Sequence, residues 1–280
     1  MELLYWFESI RNPVLDVLMS LATRLGEETF FMVGALLVFW CMDKRKGYYL
    51  LSVGFVGILV NQWLKIICRV PRPWVRDPNF TIVESARAEA AGYSFPSGHT
   101  QTAVGFFGGV ARFTGRLWLR VACIVILLLV SISRMYLGVH TPADVGVSFV
   151  TAAVLVLVMY PLMESTLWFP NRIYVILGVL LGCSLAFVGF MEFFPFPADI
   201  DAGNLAEAVK NAYSMTGAVG GMLVVSVFDD RLLQFPTRAP WWGQAVKLLG
   251  GLVLVVLVKS LLKAPLLALC GGHEAAHAVR

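Results

Sequence analysis

The chain has 280 residues, of which 58% are hydrophobic and 14% charged, and its mean hydropathy is +0.75; soluble globular domains carry roughly 25% charged residues. This balance excludes a soluble fold and points to an integral membrane protein. The net charge of +4 requires no acidic partner and no nucleic acid, because membrane insertion itself gathers lysine and arginine at the ends of spans.

In chain order, residues 1–24 place apolar side chains at a helical rhythm (Leu4, Phe7, Ile10, Leu15, Leu18) around Pro13, which predicts an amphipathic helix lying in the interface. The start MELLYWFESIRNP has no basic stretch followed by a small-residue cleavage site, so the first apolar span is expected to target the membrane. Runs long enough to cross the hydrocarbon core fall near 27–42, 48–68, 98–114, 117–133, 142–162, 173–192, 211–228 and 246–263. The fold class expected is all-α: a polytopic helical membrane protein of about eight transmembrane helices with an N-terminal interfacial helix. A core over residues 1–162 precedes additional C-terminal spans and a short tail over 163–280. Gly105 and Gly109, and Gly178 and Gly182, form small-xxx-small faces where helices can pack closely. The cysteines Cys41, Cys68, Cys123, Cys183 and Cys270 are odd in number and widely spaced, a pattern of apolar filler rather than of disulfides or a metal set.

Charge sets the orientation. Lys44, Arg45 and Lys46, then Arg112, Arg116 and Arg120, then Arg231 and Arg238 follow alternate spans, so those loops are expected in the cytoplasm. The acidic loop 195–210 falls on the other side. The third span then starts outside, on GYSFPSGHTQT. There Ser97 is an N-cap, and the amides of Gly98, His99 and Thr100 are unpaired donors at the positive end of the helix, an arrangement that favours anions. The segment SRMYLGVHTPADV reaches the same face: Thr141 reads as an N-cap, Pro142 as the first helical residue, and Asp144 as a carboxylate close to His140. A carboxylate beside a histidine holds one tautomer and leaves the other ring nitrogen free to attack. In KIICRVPRPW, Lys65 sits in a last helical turn and Pro71 and Pro73 flank Arg72. With Arg134, these cations converge with two histidines and two helix N-termini on one level, a constellation suited to a phosphate dianion.

Lys65-x6-Arg72-Pro73, Pro96-Ser97-Gly98-His99 and Ser133-Arg134-x5-His140-x3-Asp144 resemble the three-part signature of the type-2 phosphatidic acid phosphatase family. The resemblance covers about residues 15–162. It implies that His140 is the nucleophile forming a phosphohistidine, that Asp144 orients it, and that His99 protonates the leaving alcohol. Lys65, Arg72, Ser97, Gly98 and Arg134 are then the phosphate clamp. It further implies no metal and no other cofactor, since cations and amides supply the charge stabilisation.

HEAAH at 273–277 formally matches a zinc pattern, but only three residues follow it and no third ligand is in sight, so an unstructured tail is expected. In the segment 74–95, Trp74, Phe80 and Ile82 are expected to border an access route for acyl or prenyl chains. The substrate class favoured is a lipid phosphate monoester or polyprenyl diphosphate, met at the extracytoplasmic side of a cell inner membrane, with the bilayer and the lipid as partners and no obligate protein partner. A soluble sugar-phosphate-type ester and a lipid phosphotransferase reaction use the same residues. A transporter would need polar groups near the midplane, of which these spans show few.

Overall fold

The computed structural model of the protein describes residues 1–88, 90–164 and 171–269. The HEAAH segment and Cys270 lie outside the described residues. Every regular element among the described residues is helical, as a lipid solvent that cannot pair backbone N–H and C=O groups demands.

Residues 1–24 form two helices where one was expected: α1 (Glu2–Ser9) and α2 (Pro13–Arg24). The break falls at Asn12, whose side chain accepts from the Leu15 amide at 3.1 Å, while Pro13 takes the first helical position, where no N–H is needed. α3 (Glu28–Cys41) is apolar but only 14 residues long. α4 (Lys44–Cys68) runs for 25 residues and stops at Arg69, which adopts the left-handed conformation (φ 48°). A short turn of helix, α5 (Pro73–Arg76), follows. α6 (Gly98–Ala103) continues through a π-helical turn at Val104–Gly108 into α7 (Gly109–Phe113). α8 (Leu117–Tyr136), α9 (Pro142–Glu164), α10 (Asn171–Phe193), α11 (Ala202–Phe228) and α12 (Trp241–Leu269) complete the chain.

Six stretches among the described residues are long and apolar enough to cross a membrane: 44–76, 117–136, 142–163, 173–193, 202–233 and 241–261. The runs expected as further spans near 27–42 and 98–114 are, among the described residues, the 14-residue α3 and the continuous helical run from α6 through the π-turn to α7, both shorter than these six. α11 starts at Ala202 because the Asp201 carboxylate accepts from the Asn204 amide at 2.7 Å; the loop expected over 195–210 therefore ends at Asp201.

The chain divides into two compact units. The first comprises Met1–Met32 and Val56–Pro161, and the second Val33–Phe55 with the described chain from Leu162 on. In the second, Lys44 Nζ lies 2.5 Å from the buried Asp229 carboxylate and 3.7 Å from the centre of the Phe235 ring. Gly251 packs on the Trp40 ring and Gly47 on Phe39. Gly178 and Gly182 do not act as close-packing positions among the described residues, where a Cβ at either would meet nothing within 4 Å.

In the first unit, Leu4 of α1 packs with Phe80 and Ile82, and Phe7 with Tyr136, Leu137 and Val139. In α4, Gly57 faces α6: a Cβ there would stand 2.7 Å from the side-chain amide nitrogen of Gln101, so the glycine leaves room for that side chain.

Candidate active site

α8 buries Cys123, Leu127, Val130 and Arg134, a spacing of three and four residues that lines one helical face. That face ends on Arg134, whose side chain is completely buried, and its Nη1 donates to Thr23 Oγ1 of α2 at 2.6 Å. The chain then turns at Gly138 (φ 81°), so that the amides of Val139 and His140 both reach back to the Arg134 carbonyl. α9 begins two residues later on a reciprocal cap: Thr141 N donates to Asp144 Oδ2 at 2.7 Å, and Asp144 N to Thr141 Oγ1 at 3.3 Å. A turn and a cap thus hold Arg134, His140 and Asp144 together.

His140 Nε2 lies 3.0 Å from Arg72 Nη1. A guanidinium has only donors, so Nε2 is the acceptor and the ring proton sits on Nδ1, facing Asp144. The Nδ1 to Asp144 Oδ2 distance is 3.6 Å, beyond a hydrogen bond. Asp144 Oδ2 is instead taken by Thr141 N and by Ser94 Oγ at 2.6 Å, so the expected direct hydrogen bond to His140 is replaced by a longer electrostatic contact. Burial first, then the charges of Arg72, Arg134 and Lys65 and the neighbouring His99, hold the His140 imidazole well below its usual range. The ring is neutral, and its Nε2 lone pair is engaged by Arg72 in this structure, a contact that a phosphoryl group would displace.

Arg72 is fixed by carbonyls: Nε donates to Gly92 O at 3.0 Å, Nη2 to Ala91 O at 2.8 Å, and Nη1 to Val139 O at 3.0 Å. Lys65 Nζ donates to Tyr93 O at 2.7 Å. Ser97 caps α6, accepting from Thr100 N at 3.4 Å, while its own amide donates to the Asp144 carbonyl at 3.2 Å. Beside Gly98, the position of a Cβ is open space to 4 Å. His99 Nε2 is buried and makes no hydrogen bond among the described residues.

Lys65, Arg72, Ser97, Gly98, His99, Arg134, His140 and Asp144 all belong to the first unit. Arg72, His140, Asp144 and Ser97 are in direct contact, and the charges of Lys65, Arg134 and His99 act on His140. Three cationic side chains around a neutral imidazole, with helix amides beside them, can hold a phosphoryl group in line with Nε2. The sequence reading missed Ser94, Thr23 and the carbonyls of Ala91, Gly92 and Tyr93. Ser94 stood inside the motif segment, but no spacing rule singles out its hydroxyl. The expectation for Phe80 and Ile82 is corrected. Both are buried, with Phe80 edge-on to Tyr5 and beneath the Arg11 guanidinium, and they anchor the loop rather than border an access route.

Residues 45–168 match the model of the PAP2 superfamily. Over 267 residues the chain is 23% identical to sphingosine-1-phosphate phosphatase 1 of Mus musculus, covering 91% of this chain and 61% of that protein. Over 151 residues it is 27% identical to an undecaprenyl-diphosphatase of Bacillus subtilis, covering 52% of this chain and 74% of that protein. A crystal structure of a transmembrane PAP2-type phosphatidylglycerolphosphate phosphatase from Bacillus subtilis superposes with a TM-score of 0.47 and 26% identity, covering 59% of this chain and 84% of that one. The chain spans less than two thirds of the length of the sphingosine-1-phosphate phosphatases it matches. The matched segment runs from α4 through α9, six α-helices.

Proposed function

We propose that the protein is an integral membrane phosphatase that hydrolyses a lipid phosphate monoester or a polyprenyl diphosphate at the extracytoplasmic face of a cell inner membrane, with residues 1–162 as the catalytic core. The observation that carries this reading is the 3.0 Å approach of Arg72 Nη1 to His140 Nε2, a buried cation set where the phosphoryl oxygens of a substrate attacked by Nε2 would lie. The likeness to a sphingosine-1-phosphate phosphatase and an undecaprenyl-diphosphatase supports the lipid phosphate class.

In the mechanism proposed, His140 Nε2 attacks phosphorus as the ester P–O bond breaks, and His99 gives its proton to the departing alkoxide. Lys65, Arg72, Arg134, the Ser97 hydroxyl and the Gly98 amide neutralise the equatorial oxygens. Asp144 stabilises the Nδ1–H side of the cationic adduct. Water then attacks phosphorus, His99 takes a proton from it, and the P–N bond breaks to release phosphate and regenerate Nε2. The test is phosphate release by the purified protein from a panel of lipid phosphates, in excess EDTA, with His140→Ala alongside. Turnover on lipid phosphates that His140→Ala abolishes, with a phosphoenzyme trapped by acid quench only in the native protein, is expected. Activity retained by His140→Ala, or activity that EDTA abolishes and added Mg²⁺ or Zn²⁺ restores, would overturn the mechanism.

A further inference from the structure

The turn joining α2 to α3, with the sequence TRLGEE over Thr23–Glu28, lies outside the segment matched by the superfamily, yet it meets the proposed machinery at separate points. Thr23 is 2% exposed, and its hydroxyl accepts from Arg134 Nη1 at 2.6 Å. Gly26 lies against the backbone of His99: a Cβ at Gly26 would stand 2.9 Å from the His99 carbonyl oxygen, 3.2 Å from His99 Cβ and 2.7 Å from Val130 Cγ1. No positive φ is involved at Gly26, so glycine is required there by space alone. Glu28, first residue of α3, lies within electrostatic reach of Lys65.

We infer that the Thr23–Glu28 turn is a fourth part of the active site, in which Thr23 aims the Arg134 guanidinium at the phosphoryl oxygens and Gly26 seats His99 at the leaving-group position. Both are positioning residues, since each acts through a side chain proposed to touch substrate. The inference rests on the roles proposed above for Arg134 and His99. A guanidinium presents donors in a rigid plane, and a single well-placed acceptor on one edge fixes the direction of the others. Thr23 supplies that acceptor from α2, which is tied to the end of α8 a second time where Asp16 accepts from Tyr136 OH at 2.7 Å, and whose start is capped by Asn12. His99, by contrast, is located through its backbone. Its ring nitrogen Nε2 makes no hydrogen bond among the described residues, and Gly26 packs against the His99 carbonyl and the Cβ from which the ring projects.

The two contacts predict different kinetic defects, which loss of structure alone would not produce. Thr23→Val removes the acceptor at nearly constant volume. It is expected to lower kcat/KM by about 10-fold to 100-fold, the range for a hydrogen bond to a charged group, equally on a lipid phosphate and on nitrophenyl phosphate, and to weaken inhibition by inorganic phosphate in parallel. Thr23→Ser, which keeps the hydroxyl, restores both. Gly26→Ala is expected to lower kcat/KM, which reports the steps up to phosphohistidine formation, for the lipid phosphate while sparing kcat/KM for nitrophenyl phosphate, whose leaving group needs no proton, and to leave phosphate inhibition unchanged. Arg134→Ala and His99→Ala are the references for the two patterns. If the references do not split in this way, the assignment of roles fails. If they split but Thr23→Val matches the native enzyme, or Thr23→Ser is as damaged as Thr23→Val, or Gly26→Ala affects both substrates alike, the inference about the turn fails while the assignment stands. Should Thr23→Val not fold, Thr23→Cys, whose sulfur is a weak acceptor, carries the same expectation.

Discussion

His140 is neutral in its buried, cation-ringed position, and this has a direct kinetic consequence. A base whose pKa is lowered stays unprotonated to lower pH, so protonation of the nucleophile should not limit turnover in the usual histidine range near 6.5. To isolate that ionisation, we expect His99→Ala assayed on nitrophenyl phosphate to show an acid limb of kcat/KM well below pH 6.5. A limb centred at 6.5 or above would show His140 titrating as an ordinary imidazole despite Arg72, Arg134 and Lys65. Ser94 is the second prediction at this scale. Its hydroxyl and the Thr141 amide are the hydrogen bonds made to the buried Asp144 carboxylate oxygen Oδ2, and a bond to a charged group contributes about 1.5–3 kcal/mol. Ser94→Ala should therefore lower both the denaturation midpoint and kcat/KM, the latter by roughly 10-fold or more; a variant equal to the native protein in both measurements would show that the Thr141 amide suffices.

Among the elements, the joint between α8 and α9 is the most constrained. Gly138 combines φ 81° with a lack of space: a Cβ there would meet Arg11 Nη2 at 2.8 Å and the Phe80 ring at 3.0 Å. Arg11 is held over the joint by donating to the Tyr136 carbonyl at 3.1 Å and the Thr81 carbonyl at 2.8 Å. A left-handed L-residue costs about 1–2 kcal/mol before any clash, so Gly138→Ala should lower the thermal midpoint, and activity should fall because His140 lies two residues on. The denaturation midpoint and kcat/KM together check this. The same joint shows what could be read in advance. Thr141, Pro142 and Asp144 obey cap chemistry within four residues, and the start of α9 was legible from them. That α1 and α2 would fold back to pin the joint through Arg11 and Asp16 was not, because those contacts join residues more than 100 positions apart.

For the whole molecule, hydropathy was sufficient to establish a helical membrane protein, since a backbone in lipid has few ways to satisfy its polar groups. The sidedness proposed from loop charges is testable. Gly203 is exposed in the first turn of α11, behind the Asp201 cap, and the loop before it is expected outside. A cysteine at Gly203 should react with an impermeant thiol reagent in intact cells. Protection in intact cells combined with reaction in lysed membranes would invert the topology and move the active site to the cytoplasmic face.

The motifs alone supplied the groups of the proposed chemistry: histidines, cations and helix N-termini at fixed spacings are the parts of the phosphate clamp proposed above. Cap and turn preferences also act within a few residues, so the starts of α2, α6, α9 and α11 follow from local sequence once the caps are recognised. What the tertiary structure decided is everything that depends on non-local approach. It turned the Asp144 carboxylate toward Ser94 and Thr141 and left His140 at 3.6 Å. It buried Phe80 and Ile82, which composition could equally have left at the surface. It brought Thr23 to Arg134 across 111 residues of sequence separation. A hydrogen bond needs its partners within a few tenths of an ångström, and that accuracy arises only when packed helices meet; a linear pattern carries the identity of the groups but not the direction in which they point.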